Sequence, residues 1–303
     1  MRCISKEPKK QKGAIMKTRR LETVYTPSPE PGFLGNGHVA RRVIQVDFAQ
    51  SDPFILLMDD QLNKKDNVPS GGPHPHAGFE TVTLLLEGEI GLGKHALQAG
   101  DFEIMTAGSG IVHTEVIDKP TKMRLLQLWL NLPKAERHAQ PRLQTLKSSY
   151  VPSSSQDGVD VRVYSGNFAG LTSPIDNYTP LIVAELKMQP GASFTSSLPA
   201  DFSTFLYIFN GSVSVGERSL SVDQVGWLDR ADQSGDSTIT LTAGEKGARF
   251  VLYAAQPQRH EIVSHGPFIA DSMEEIKELY AKFRRGQLGH ITEVPEERLV
   301  VLP

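Results

Sequence analysis

His74 and His76 stand two residues apart in the segment "PHPHAGFETVTLLLEG". In an extended chain successive side chains alternate faces, so both imidazoles project to one side and Pro75 to the other. Two neutral imidazoles on one face can chelate a metal ion. Nine histidines in 303 residues make one such pair weak evidence by itself. A second pair follows in "TAGSGIVHTEV", where His113 and Glu115 repeat the same spacing just after a Gly-Ser-Gly turn. Two such strands, one hairpin apart, bring three imidazole nitrogens and one carboxylate oxygen to a single point. That set leaves one or two positions open on an octahedral ion and suits Fe(II), with Mn, Ni, Cu or Zn as less specific occupants. A site with an open position is more often a working site than a structural one.

These side chains need strands to hold them. Proline cannot donate to a central ladder, so Pro75 belongs at a strand start or a sheet edge, where a barrel mouth lies. From residue 20 onward, short runs of Val, Ile, Leu, Phe and Thr are punctuated by Gly, Pro, Asn and Asp, as in "HVARRVIQVDF", "ETVTLLLEG" and "GDFEIMTAG". That texture predicts an all-β sandwich or barrel. In "KMRLLQLWLNL", Leu126, Leu128, Leu130 and Leu132 alternate with Gln127, Trp129 and Asn131, the pattern of a half-buried strand.

A Ser-, Pro- and Asp-Gly-containing break spans residues 146–160, and the same texture then resumes in "TPLIVAELKMQPGASF" and "STFLYIFNGSVSVG". The expected organisation is a disordered basic tail over residues 1–16, an N-terminal metal-binding barrel over 17–147, and a tandem C-terminal barrel over 148–303. The second unit offers only Asp201 and Ser203 where the first has its candidate ligands, so it is expected to bind no metal. One helix is predicted in "DSMEEIKELYAKFRRGQLG", capped by Asp271 or Ser272, with Ile276, Leu279, Tyr280 and Phe283 on its apolar stripe.

Composition narrows the function classes. A net charge of -3 gives no electrostatic reason to expect direct nucleic-acid binding, and no apolar run is long enough to span a membrane. The single cysteine, Cys3, excludes an intramolecular disulfide, which points to a reducing, cytoplasmic setting. His38, His95, His138, His260, His265 and His290 lack the paired spacing and are expected on the surface or in hydrogen bonds.

The segments "HPHAGFETVTLLLEGEI", "GDFEIMTAGSGIVHTEV", "LQLWLNLP" and "HGPFIADSMEEI" together resemble the pirin family, which are bicupins of the cupin superfamily. The resemblance runs from about residue 20 to residue 288. It implies two tandem cupin barrels of jelly-roll type with a short C-terminal helix. It makes His74, His76, His113 and Glu115 the iron ligands, and it implies a structural role for His265. Bacterial members resemble quercetin 2,3-dioxygenases in activity, which implies a metal-dependent dioxygenase cleaving a flavonol such as quercetin with O2. In that reading Glu115 is the general base, and Leu84, Leu86 and Leu128 supply dry pocket walls. Mammalian members act as iron-dependent nuclear cofactors, which implies the alternative of a redox-sensing regulatory cupin with a protein partner. Three positions depart from the family pattern: Ala77 replaces an Arg, Ile104 replaces a Trp, and the hairpin after Glu89 is short. These changes are expected to reshape the pocket mouth.

Overall fold

The computed structural model describes residues 17–91, 96–232 and 234–302. The 1–16 tail, Cys3 and His95 lie outside them. The described chain forms an eight-stranded and a ten-stranded sheet, joined by short two-stranded ladders. The first sheet runs Leu299–Leu302, Arg142–Leu146, Phe102–Thr106, Phe79–Glu87, Thr121–Asn131, Phe54–Lys64, His38–Arg42, Pro29–Pro31. Its strands are antiparallel except the outermost, where Leu299–Leu302 lies parallel to Arg142–Leu146.

The alternation read from the Thr121–Asn131 strand decides how the two sheets meet. Leu126, Leu128 and Leu130 turn toward the second sheet and join Phe205, Tyr207, Trp227 and Tyr253 in one fully buried core. Side chains of this size each stabilise by about 1.5–3 kcal/mol on full burial. Gln127 and Trp129, on the opposite face, look into a cavity inside the first barrel. Leu84 and Leu128 belong to the inter-sheet core and Leu86 packs against it, so none of the three is a pocket wall. The expectation was wrong because alternation separates the two faces of a strand buried on both sides without marking which of them meets the other sheet.

The second barrel closes on a different interior. Val161, Val163, Ala184, Leu186, Leu206 and Ile208 fill it with aliphatic side chains. Ser203 uses its hydroxyl to donate to the Asp52 carbonyl at 2.5 Å and lies among buried neighbours.

The termini cross between the sheets. Lys17–Thr18 and Leu21–Tyr25 pair with Asp236–Ala255 and Val225–Leu228 of the second sheet, whereas Leu299–Leu302 completes the first. Sheet membership therefore departs from a division at residue 147 at both ends. Arg19, fully buried, anchors one crossing by donating to the carbonyls of Asp229, Pro199 and Phe202.

The predicted helix spans Met273–Arg284, with the Ser272 hydroxyl accepting from the Glu275 amide. Ile276 is buried with Phe268, Ala270 and Ala77, and Leu279 and Tyr280 pack beside them, while Phe283 stays exposed. A four-residue helix, Phe48–Ser51, has no sequence signal of comparable strength.

Candidate metal centre

Ser70–His76 and Ile111–Ile117 form an antiparallel two-stranded ladder at the barrel mouth. Ser70–His76 pairs along one edge only, which accommodates Pro75. Register sets the constellation. His113 lies directly opposite His74, Ile111 opposite His76, and Glu115 opposite Gly72. Gly71 adopts φ +80°, and a Cβ there would collide with the Glu115 carbonyl, so the close approach of the strands requires glycine.

The three imidazoles converge. His113 Nε2 lies 2.7 Å from His74 Nε2 and 3.2 Å from His76 Nε2, and the three ligand atoms all fall within 4.8 Å of one another. His74 Nδ1 donates to the Gly72 carbonyl at 2.9 Å, which leaves its Nε2 as a bare lone pair aimed at the centre. Burial pushes the His76 imidazole down to about 3, with the neighbouring His74 adding to the effect. Burial likewise pushes His113 down to about 2, helped by His76 and His74. Lone pairs packed this closely repel unless a proton or a metal ion sits among them, and burial makes His76 and His113 reject an added positive charge. The donor set therefore fits a metal ion of borderline character.

Glu115 lies two residues further along the ladder and lines the same cavity, but its carboxylate stands outside the three-nitrogen cluster. Burial is the main cause that raises its carboxyl above the ordinary range. The negative charge of Asp60 adds to this and His74 opposes it. Glu103, on the neighbouring Phe102–Thr106 strand, accepts from Thr145 Oγ1 at 3.0 Å and is pushed up to about 7, chiefly by burial.

The cavity lined by the three imidazoles and Glu115 measures about 800 Å³. Trp129 lies in its wall, tilted against Phe79 at 4.4 Å between ring centroids and meeting the edge of His76 at 5.4 Å. Leu34, Leu56, Met58, Ile117, Met123 and Leu125 supply apolar surface. Of the departures expected to reshape the mouth, Ile90 of the short hairpin does line the cavity. Ala77 and Ile104 do not. Ala77 is 1% exposed and packs under the Val263–His265 and Phe268–Ala270 hairpin, whose Ile269 amide donates to its carbonyl. Ile104 belongs to the inter-sheet core.

That hairpin also crosses the metal ladder, since Pro267 lines the cavity and its backbone acts on His76. It is held by buried Arg137, which donates to the Gly78 carbonyl at 2.8 Å and Asn131 Oδ1 at 2.6 Å and pairs with Asp271 at 3.2 Å. His265 is exposed, its ring 5.8 Å from Tyr280.

His38 is buried rather than superficial, and its Nε2 meets Asp60 Oδ1 at 2.9 Å. Asp60, a cavity residue, carried no motif signal, since "MDDQ" reads only as polar positions in a strand.

Residues 37–130 match the family model described as Pirin, and residues 183–289 match the Pirin C-terminal cupin domain. Pirin of Homo sapiens is 35% identical over 260 residues, 83% of this chain and 88% of that protein. A pirin-like protein of Solanum lycopersicum is 32% identical over 262 residues, 84% of this chain and 88% of the relative. The crystal structure of a quercetin 2,3-dioxygenase from Acinetobacter baumannii matches with a TM-score of 0.78 at 27% identity, covering 89% of this chain and 98% of that one. A barrel carrying a histidine triad, a tandem partner with a largely aliphatic interior and relatives matched along most of their length lead to one assignment: this chain belongs to the pirin family.

Proposed function

We propose that this protein is an iron-dependent dioxygenase that opens the heterocycle of a flavonol such as quercetin. His74, His76 and His113 hold Fe(II), and Glu115 completes the ligand set. The observation that carries the reading is the convergence of three imidazole nitrogens on an aromatic-walled cavity. Similarity to a quercetin 2,3-dioxygenase along nearly its whole length supports the same choice.

When bound, Fe(II) supplies Lewis acidity and one-electron reactivity toward O2 at its open positions. The chain's own residues do the rest. Glu115, which lines the cavity and whose carboxyl burial and Asp60 raise above the ordinary range, is the base that takes the proton of a substrate hydroxyl. Trp129 and the aliphatic wall receive the planar ring system and exclude water. The hydrogen bond from His74 Nδ1 to Gly72 keeps its imidazole from turning. Chemistry inside a cavity favours a small-molecule reaction over a regulatory surface read by a protein partner. Among the described residues no helix is long and apolar enough to cross a membrane, and we place the reaction in the cytoplasm.

Purification under nitrogen, loading with Fe(II), and measurement of flavonol absorbance loss together with oxygen uptake test the proposal. Wild type should turn over, while His76→Ala and Glu115→Gln should lose at least 100-fold in rate, about 3 kcal/mol of barrier. Absence of turnover with Fe(II), Mn(II), Ni(II), Cu(II) and Zn(II) would sink it.

A further inference from the structure

The metal cluster and Glu115 leave a second carboxylate in the cavity without a role. Asp60 lies on the Phe54–Lys64 strand, opposite Ala40 on one side and Leu125 on the other. Its Oδ1 meets His38 Nε2 at 2.9 Å, and no hydrogen bond among the described residues engages its Oδ2. The direction of the His38 bond is determined. The Leu34 amide donates to His38 Nδ1 at 3.0 Å, so the imidazole proton sits on Nε2 and points at Asp60. The His38 ring is wholly buried and lies where a Cβ on Gly32 would have to be, so the ring has no room to shift.

The same histidine organises the loop at the mouth. Leu34 hangs on its Nδ1, and the Gly32 amide donates to its carbonyl at 2.9 Å. Between them Phe33 lines the cavity yet is 76% exposed, touching the His38 ring only edge-on at 5.5 Å. Gly35 and Gly37, at φ +85° and +82°, let the chain turn back within a few residues. An exposed phenyl ring beside an aromatic-walled cavity gains burial only when something planar enters. Asp60 and Glu115 together offer acceptors to hydroxyl groups and repel an aromatic carboxylate.

Building on the dioxygenase reading, we propose that Asp60, oriented by His38, accepts a hydrogen bond from a ring hydroxyl of the substrate while Phe33 covers the ring. The cavity then selects neutral, planar, hydroxylated aromatics. Asp60 is the specificity-determining group and His38 the positioning residue behind it.

Calorimetric titration of metal-loaded protein under nitrogen, where turnover cannot occur, tests this with quercetin and with flavone, which has the ring system without the hydroxyls. Asp60→Asn should bind quercetin about tenfold more weakly and leave flavone unchanged, because only the charge-assisted hydrogen bond is lost. Phe33→Ala should weaken both by a similar factor, roughly five- to tenfold. His38→Ala should follow Asp60→Asn, while His38→Gln, whose amide can still donate, restores most of the difference. Metal content and melting temperature, measured alongside, confirm that each variant is folded and loaded. Equal quercetin affinity in Asp60→Asn and wild type, an equal loss for flavone, or failure of wild type to bind quercetin at all overturns the assignment. The expected binding pattern without oxygen uptake removes the dioxygenase reading and keeps this one. Turnover with an unchanged KM in both Asp60→Asn and Phe33→Ala does the reverse.

Discussion

His74 and His113 face each other directly across a two-stranded ladder, their Nε2 atoms 2.7 Å apart. Backbone register alone thus aims two imidazoles at one point, and His76, two residues along from His74, adds the third at 3.2 Å from His113. The consequence is that metal capture resides in this two-stranded ladder. Replacing His74 and His76 together by alanine should abolish stoichiometric metal uptake, read by elemental analysis after reconstitution and desalting. Glu115→Gln should retain metal with an affinity 10- to 100-fold weaker, roughly what loss of a supporting carboxylate costs. Full metal retention by the double variant would refute the site.

Glu115 should contribute to the acid limb of metal binding, and His76 and His113 should not. Burial and mutual repulsion hold His76 near 3 and His113 near 2, so neither takes up a proton at mildly acidic pH, whereas burial and Asp60 raise the Glu115 carboxyl above the usual carboxylate range. As pH falls from 8 to 5, affinity measured against a competing chelator should decline in the wild type and stay flatter in Glu115→Gln. Parallel curves would show that another group controls the loss.

Glu80 is fully buried on the Phe79–Glu87 strand, accepts from Thr106 Oγ1 at 2.6 Å, and is pushed up to about 7 by its burial. A carboxyl raised in the native state holds its proton there between about 4.5 and 7 while the unfolded chain has released it, so this group's contribution to stability falls as pH rises through that window. Glu80→Gln removes the slope. The melting temperature of metal-free Glu80→Gln relative to wild type should therefore increase from pH 5 to pH 7.5, and a constant difference would count against the neutral carboxyl.

Asp59 is fully buried between the sheets and takes a bidentate pair from Arg124 at 2.9 and 2.8 Å and a hydrogen bond from Tyr207 of the second barrel at 2.7 Å. Arg124→Leu leaves that charge uncompensated and should cost about 3–5 kcal/mol by denaturant titration. Tyr207→Phe should cost about 1–2 kcal/mol. The double variant should lose less than the two single losses together, because both partners serve one carboxylate.

Arg137 ties the Phe268–Ala270 hairpin to the barrel through Gly78, Asn131 and Asp271. Arg137→Ala should speed amide hydrogen exchange in residues 263–271 more than in the Thr121–Asn131 strand, and should weaken metal affinity a few-fold through loss of the cover over His76. Uniform acceleration across the chain would point instead to global destabilisation.

Much of the site was legible before any coordinates because a strand has a period of two. The spacings His74/His76 and His113/Glu115, the proline between the first pair, and the tandem β texture follow from local rules that tertiary structure has no reason to override. The helix over Met273–Arg284 was likewise readable from its cap and stripe. Facing was not. Periodicity separates Leu126, Leu128 and Leu130 from Gln127 and Trp129, yet a strand buried on both sides gives no sign of which face meets a second sheet and which meets a cavity. The exchange of Leu21–Tyr25 and Leu299–Leu302 between sheets depends on pairings more than a hundred residues distant. Ala77 looked like a mouth residue by its place beside His76, but side chains one apart point to opposite faces, and the crossing hairpin buries it. The partnership of His38 with Asp60 links neighbouring strands 22 residues apart and is visible only once register is set. The sequence by itself determined which atoms can bind a metal, and tertiary structure decided what kind of chamber surrounds them, because ligand spacing is a property of one strand and a cavity wall is a property of many.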